Sequence, residues 1–311
     1  MLYLGIDTSN YTTSVALYDS ENNSIRQVRK LLPVKKGEKG LRQSDAVFSH
    51  TQQLSPLISQ LFENADSLPC AVGVSSRPRN IDTSYMPCFT VGINCGESIA
   101  SVLKTPFHKF SHQQGHIIAA LFSAGKLDLI NERFIAFHVS GGTTEALLVT
   151  PDENNVINCE IIASSLDLKA GQAIDRTGLM LGLDFPCGAQ LDSLSMKSDK
   201  SYKIKPVIRE GNCSLSGVEN KCRKMIENNE KPEDVAKFCI QFICSTLDSM
   251  TKYLLEKYGE LPVLFSGGVM SNTYINSVLS SKYGAYFAHR DFSSDNAAGV
   301  ALLTYLKECS K

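Results

Sequence analysis

The sequence predicts an α/β protein of two similar lobes, and two observations lead there. The first is an internal repeat. Asp7-Thr8-Ser9-Asn10-Tyr11-Thr12-Thr13-Ser14-Val15-Ala16-Leu17 aligns without a gap on His138-Val139-Ser140-Gly141-Gly142-Thr143-Thr144-Glu145-Ala146-Leu147-Leu148, with a Ser, a Thr-Thr pair and a Leu in step. Each copy follows one apolar run and leads into another, which reads as strand, tight polar turn, strand. Copies this far apart are not a solenoid period; they mark one lobe each. The second observation is that the same order of elements follows each copy.

In the first half, strands are predicted near 2–6, 13–18 and 25–30. A helix follows from about Asp45 to Glu63, then a strand through Ala71-Val72-Gly73-Val74 and a helix from about Val91 to Leu103. In the second half, Phe134 to Val139, Glu145 to Val149 and Glu160 to Ala163 read as strands. Helices are predicted near 171–181 and 232–257, with a strand at Pro262 to Phe265. Three strands, helix, strand, helix in each half is the ribonuclease-H-like plan of the actin, sugar-kinase and heat-shock-ATPase superfamily. The boundary is expected near 105/106, giving lobes 1–105 and 106–311, with the last helix packing back towards the first lobe.

A chain of 311 residues that is 43% hydrophobic can build two cores. Its formal charge of -1 excludes a general polycation. Basic clusters stand at Lys35, Lys36, Lys39 and Arg42 and at Lys200, Lys203, Lys205 and Arg209; these are either solvated loops or an RNA-docking surface. No apolar stretch reaches membrane-spanning length and no leader is seen, so no membrane is expected. The ten cysteines form no C-x-x-C pair and many sit in apolar segments, as in Phe238 to Cys244, which fits free thiols of a cytoplasmic protein.

The paired turns carry the first chemistry. Gly, Ser and Thr offer backbone N–H groups and hydroxyls to phosphate, and two such turns facing across a cleft could grip a nucleotide's phosphates from both sides; plain hairpins are the other reading. There is no P-loop: Gly92 to Ser98 has glycines but no Lys, and no G-x-G-x-x-G occurs. A third small-residue turn, Ser266-Gly267-Gly268-Val269-Met270-Ser271-Asn272, lies between a strand and a helix and suits adenine. Asp167 and Asp175 flank Gly171 near a helix start, as ribose partners or as caps.

His112 and His116, four apart on a predicted helix, stack on one face and can chelate a transition ion. Position 113 is Gln, so the general base of an H-E-x-x-H peptidase is absent. Asp295, opening the last helix, is the candidate third ligand, or else that helix's cap.

Over nearly its whole length the chain resembles the TsaD/Gcp family of tRNA N6-adenosine threonylcarbamoyltransferases, formerly described as O-sialoglycoprotein endopeptidases. The segments that carry the resemblance are Gly5 to Ser9, the helix with His50, His112-x-x-x-His116, Ser140-Gly141-Gly142 and Asp167-x-x-x-Gly171-x-x-x-Asp175. Ser214 to Gly217, Ser266 to Asn272 and Ser294 to Ala298 complete them in order. The resemblance implies iron or zinc on His112, His116 and Asp295. It implies contacts to an adenine nucleotide or acyl-adenylate from Ser140, Gly141, Gly142, Asp167, Gly171, Asp175, Gly188 and Asn272. It also implies transfer of a threonylcarbamoyl group from threonylcarbamoyl-adenylate to N6 of a tRNA adenosine, with partner proteins taking part.

The chain departs from the family pattern at several places. Asn10, Tyr11 and Thr12 replace acidic residues, Thr143 a His, Gln114 an acid, and Arg77-Pro78-Arg79-Asn80 a Gly-Pro-Gly loop. These changes suggest a divergent paralogue. The alternatives to the transferase are a nucleotide- and metal-binding scaffold subunit, a carbamoyl-type transferase with another acceptor, a metallopeptidase, or a plain ATPase or kinase.

Overall fold

The computed structural model describes residues 1–9, 11–33, 41–81, 83–289, 292 and 297–310. It divides the chain into two compact units. The first comprises Met1–Ile130, 150–159 and the C-terminal helix; the second comprises Asn131–Val149 and the residues from Glu160 to the end of the last strand.

In the first unit β1 (Leu2–Asp7), β2 (Thr12–Asp19) and β3 (Ser24–Leu31) form an antiparallel meander. β4 (Ala71–Arg77) and β5 (Phe107–Ser111) add in parallel beside β1, giving the order β3-β2-β1-β4-β5. α1 (Gln43–Phe62) and α2 (Phe89–Leu103) cover one face, where Leu4, Ile6, Val15, Leu54, Leu57, Leu61, Val72 and Val74 share a core. α9 (Ala297–Cys309) packs on β1, β2 and β4. With helices burying the central strands, they read as nearly unbroken apolar runs rather than alternating ones.

The second unit repeats this plan. β6 (Phe134–Val139), β7 (Thr144–Asp152) and β8 (Val156–Ser164) correspond to β1–β3, and β11 (Val263–Ser266) and β12 (Tyr286–Phe287) to β4 and β5, in the order β12-β11-β6-β7-β8. α4 (Ala170–Met180), α5 (Gly188–Ser195), α6 (Ser216–Glu227), α7 (Pro232–Tyr258) and α8 (Thr273–Tyr283) surround it, with a short hairpin of β9 (Ile208–Arg209) and β10 (Asn212–Cys213). α7 supplies much of the core through Val235, Cys239, Ile240, Ile243 and Met250.

The internal repeat is structural. Asp7 pairs with Ser14, and their aligned counterparts His138 and Glu145 pair with each other, so both copies are hairpins in the same register at the same place in their sheets. The first unit runs past residue 105, where the sequence suggested a boundary, because β5 completes the first sheet and α3 (His112–Ser123) follows it directly. All ten cysteines are free. No described helix is long and apolar enough to cross a membrane.

α3 and α9 touch backbone to backbone: a Cβ on Gly299 would overlap the carbonyl of Gly115. A side chain there must push the helices apart, and overpacking of this kind costs about 1–3 kcal/mol or more. Gly299→Val should therefore lower the thermal unfolding midpoint by several degrees. An unchanged midpoint would mean that the two helices do not meet this closely.

Candidate nucleotide and metal sites

Each candidate site lies at the carboxyl ends of parallel strands, where open α/β sheets bind ligands. In the first unit the ends are Asp7 of β1, Arg77 of β4 and Ser111 of β5. Asp7, only 1% exposed, accepts from the Ser9 N–H through Oδ1 (2.7 Å) and meets His112 Nδ1 through Oδ2 (2.8 Å). Burial opposes its ionisation, yet the pull of the His112 ring and the hydrogen bonds from His112 and Ser9 hold its carboxyl below the ordinary range. A carboxylate bonded to Nδ1 of a histidine is the pairing common behind metal ligands that coordinate through Nε2.

The His116 ring stands 4.6 Å from that of His112, centroid to centroid and edge to face. Both are half-buried on one side of α3. This donor set suits a transition ion. Asp295 lies outside the described residues, and among the described residues no group of three or more His, Cys, Asp or Glu is spaced to hold a metal.

Gln114 has a structural reason to replace an acid. Its Oε1 accepts from the Ser111 N–H (2.7 Å), closing a capping box, while its Nε2 donates to the carbonyls of Ile157 (2.6 Å) and Asn155 (3.3 Å). A carboxylate could not donate to those carbonyls. Beside it, the Pro78 carbonyl accepts from the Gln113 N–H (3.0 Å), and Arg77 bonds the Asn80 side chain (2.7 Å). The arginine-bearing loop thus sits against the start of α3.

The two turns share a register but not an accessibility. In the first, the Thr8 hydroxyl donates to the Cys88 carbonyl (3.0 Å) and accepts from the Gly92 N–H (3.2 Å), pinning the start of α2. The Thr13 hydroxyl donates to Gln53 (2.8 Å) and meets His50 (2.8 Å), pinning α1. Both residues are fully buried, so these hydroxyls serve the fold; Asn10 lies outside the described residues. In the second turn Gly141 and Gly142 are exposed, and a Cβ on either would meet nothing. Ser140 closes that turn, its N–H donating to the Thr143 carbonyl (2.7 Å) and its Oγ accepting from the Thr143 N–H (3.1 Å). Gly171 supports it from α4: its N–H donates to the Ser140 carbonyl (3.1 Å), and a Cβ would stand 2.6 Å from the Gly141 nitrogen.

The third turn follows β11 in the same unit. Gly267 has φ +97°, and a Cβ there would overlap the Val139 carbonyl, so the turn lies against the end of β6. Gly268 and Gly188 face open space. Asn272 caps α8 by accepting from the Ile275 N–H (3.0 Å) and donates to Asp192 (2.8 Å). Asp192, 9% exposed, also receives the N–H and hydroxyl of Thr273 (both 3.1 Å). It ties α5 to the turn and was not singled out from sequence, where an Asp within a short polar helix looks like surface.

Asp167 caps a helix other than its own. It receives the N–H groups of Leu168 (2.6 Å), Leu215 (2.7 Å) and Ser216 (3.2 Å) and the Ser216 hydroxyl (2.6 Å), fixing the start of α6, whereas Lys169 stands at the N-cap of α4. Partial burial works against its ionisation, and these bonds outweigh it and lower its pKa. Asp175 accepts from the Cys187 N–H (2.9 Å) just ahead of Gly188.

His50 offers a pH test of this packing. The Thr13 hydroxyl gives its proton to Gln53 and so accepts from His50 Nδ1, leaving Nε2 as a buried acceptor with no partner among the described residues. Burial pushes its pKa down to about 4, against the pull of Asp7. An unfolded histidine titrates near 6.5, so between those values the unfolded chain binds more protons. The stability due to neutral His50 should be full above pH 6.5 and lost as pH falls towards 4, by on the order of 3 kcal/mol. Denaturant titrations of wild type and His50→Asn at pH 7 and pH 4.5 check this. Equal losses in both proteins would mean that His50 is not buried neutral.

Known proteins share this fold. The chain is similar to component A of (R)-2-hydroxyglutaryl-CoA dehydratase from Acidaminococcus fermentans, with 17% identity over 99% of each chain and a TM-score of 0.57. It is similar to full-length HypF in its phosphate- and nucleotide-bound form, with 12% identity over 98% of this chain and 55% of that one and a TM-score of 0.60. It also resembles a ROK family glucokinase from Streptomyces griseus in complex with glucose and AMPPNP, with 11% identity over 98% of this chain and 99% of that one and a TM-score of 0.54. Identities this low show fold alone, and the fold is the two-lobed plan of the actin, sugar-kinase and heat-shock-ATPase superfamily. The model of one family, TsaD: tRNA N6-adenosine threonylcarbamoyltransferase, matches residues 34–302. The chain belongs to the TsaD family.

Proposed function

We propose that this chain transfers a threonylcarbamoyl group from threonylcarbamoyl-adenylate to N6 of an adenosine in tRNA, with partner proteins, and uses one iron or zinc ion. The observation that carries the reading is the His112–His116 pair with Asp7 behind it, in a chain of the TsaD family. His112 and His116 would hold the ion with Asp295, and the bound ion would supply Lewis-acid polarisation of a carbonyl or phosphoryl oxygen.

The chain's own residues do the rest. The turn at Ser140 to Thr143 presents the N–H groups of Gly141 and Gly142 to the adenylate phosphate, and the open face over Gly268 receives adenine. Nucleotide-bound HypF and glucokinase structures of the same fold support an adenine nucleotide here. In the reaction the adenosine amine attacks the carbamoyl carbon. A nitrogen–carbon bond forms, the bond from that carbon to the phosphate oxygen breaks, AMP leaves and N6 loses a proton. The carbonyl arrives activated, so the chain's contribution is chiefly orientation.

A covalent thioester has little support. Burial pushes the thiols of Cys213 and Cys244 up to about 11 and about 12 and also raises Cys95 and Cys187, while Cys222, lowered by its hydrogen bond with Cys239, is fully buried. A peptidase reading lacks its base, because Gln113 cannot accept a proton in that role. The scaffold reading has one specific support, the buried hydroxyls of the first turn.

Metal content tests the proposed ion site. Wild type purified without a metal-affinity tag should carry near-stoichiometric iron or zinc; His112→Ala and Asp295→Ala should lose it, and Asp7→Asn should weaken binding by about 10–100-fold. Equal metal in all four proteins would remove these residues from the site. No metal in any of them after reconstitution would remove the ion from the proposed reaction.

A further inference from the structure

We propose that a basic pocket in the second unit docks the phosphodiester backbone of an RNA strand. Lys205, Arg209 and Lys221 line a cavity of about 440 Å³ together with Asn212, Ser214 and Gly217, and among the described residues no carboxylate lines it. Among the described residues none of these three cations has an acidic partner, although the net charge of the chain is only -1. Lys221 is held instead over the rings of Phe242 (5.7 Å) and Phe238 (5.9 Å), which fixes the ammonium without neutralising it.

The neutral groups add donors. Asn212 uses its carbonyl oxygen to accept from the Ser164 N–H (2.8 Å), so its amide hydrogens remain to donate, and Ser214 contributes a hydroxyl. Of the neighbouring acids, Glu210 follows Arg209 in sequence but is not among the residues that line the cavity, Glu219 is paired with Arg176 and Arg223, and Asp167 is occupied in fixing the start of α6. The cations and donors share the cavity with Leu166, Val207 and Phe242, so it suits a ligand that carries acceptor oxygens beside apolar surface, as a phosphodiester strand with its sugars and bases does.

A polymer fits better than a single phosphate because the charge continues beyond the cavity. From Tyr202 to Arg209 exposure alternates: Lys203, Lys205, Val207 and Arg209 are exposed, while Tyr202, Ile204, Pro206 and Ile208 turn inward. The alternation places Lys203, Lys205 and Arg209 on the exposed side of this segment. Exposed Leu166 and Val207 border the cavity and offer apolar contact for sugar and base. Such a surface reads backbone, not sequence. RNA as the source of phosphate rests on the acceptor proposed above.

The test is tRNA binding by the full chain, measured by fluorescence anisotropy across a salt series, so that binding is scored apart from transfer. Lys205→Gln/Arg209→Gln should bind tRNA about tenfold more weakly, and the slope of log affinity against log salt should fall by about two, one for each lost phosphate contact. Lys252→Gln, which removes a cation of α7 paired with Glu256, should match wild type. Calorimetry with an adenine nucleotide checks that the double variant is folded. Unchanged tRNA affinity and slope in the folded double variant overturn the surface and leave the transferase reading standing. If only binding to anionic lipid vesicles falls, the patch belongs to a membrane and the proposal is likewise overturned. Wild type that binds tRNA through these residues yet leaves it unmodified supports the surface and counts against the transferase.

Discussion

One buried carboxylate organises the first unit's site. Asp7 ends β1 and takes a hydrogen bond from the turn at Ser9 and another from the ring of His112 on α3. A buried charge is tolerated only when its partners replace water, and removing one partner of such a set is strongly destabilising. Strand end, turn and helix start are therefore held in one geometry. α3 in turn has little freedom to shift, because its Gly115 carbonyl lies against Gly299 of α9 and Gln114 bonds two carbonyls of the segment 155–157. The orientation of the imidazole pair follows from this packing.

The internal repeat has diverged in use while keeping its register. In the first unit the turn's threonines face inward, and Thr8 and Thr13 are consumed as anchors for α2 and α1. In the second unit the hydroxyl of Thr144 is also structural, accepting from the Ala170 N–H, but Gly141 and Gly142 remain open. Phosphate recognition in the reading above therefore falls on the second unit, where all of the proposed nucleotide contacts lie. A symmetrical grip by both turns would need the first turn's buried hydroxyls to leave their partners. The Gly-rich copy, with no side chains to clear, is the better anion site.

Much of this was legible in sequence, because the strands of both meanders are apolar runs bounded by turn residues. β5 was not foreseen: Phe107-His108-Lys109-Phe110-Ser111 is an edge strand of mixed character with little periodicity to read. α5 is a short helix that begins at a glycine; α6 was not foreseen either, although Val218, Cys222, Met225 and Ile226 form an apolar stripe at helical spacing. The histidine pair was visible from its spacing, whereas Asp7 as its support was not, since the two are 105 residues apart. Asp192 escaped for the same reason: its partners, Asn272 and Thr273, are 80 and 81 residues away. Local pattern reveals which residues share a helix face, but long-range hydrogen bonds appear only with the fold.

The central claim is group transfer, and it is tested most directly by incubating the purified, metal-loaded chain with threonylcarbamoyl-adenylate and tRNA, with and without partner proteins supplied by a cell extract. Nucleosides released from the tRNA are then weighed by mass spectrometry. The account predicts an adenosine heavier by one threonylcarbamoyl group, formed by the wild type and lost in Gly268→Leu, whose side chain would fill the open adenine face without disturbing the turn. Tight binding of metal and adenylate with no modified adenosine under either condition would contradict it and leave a scaffold that keeps the sites without the reaction.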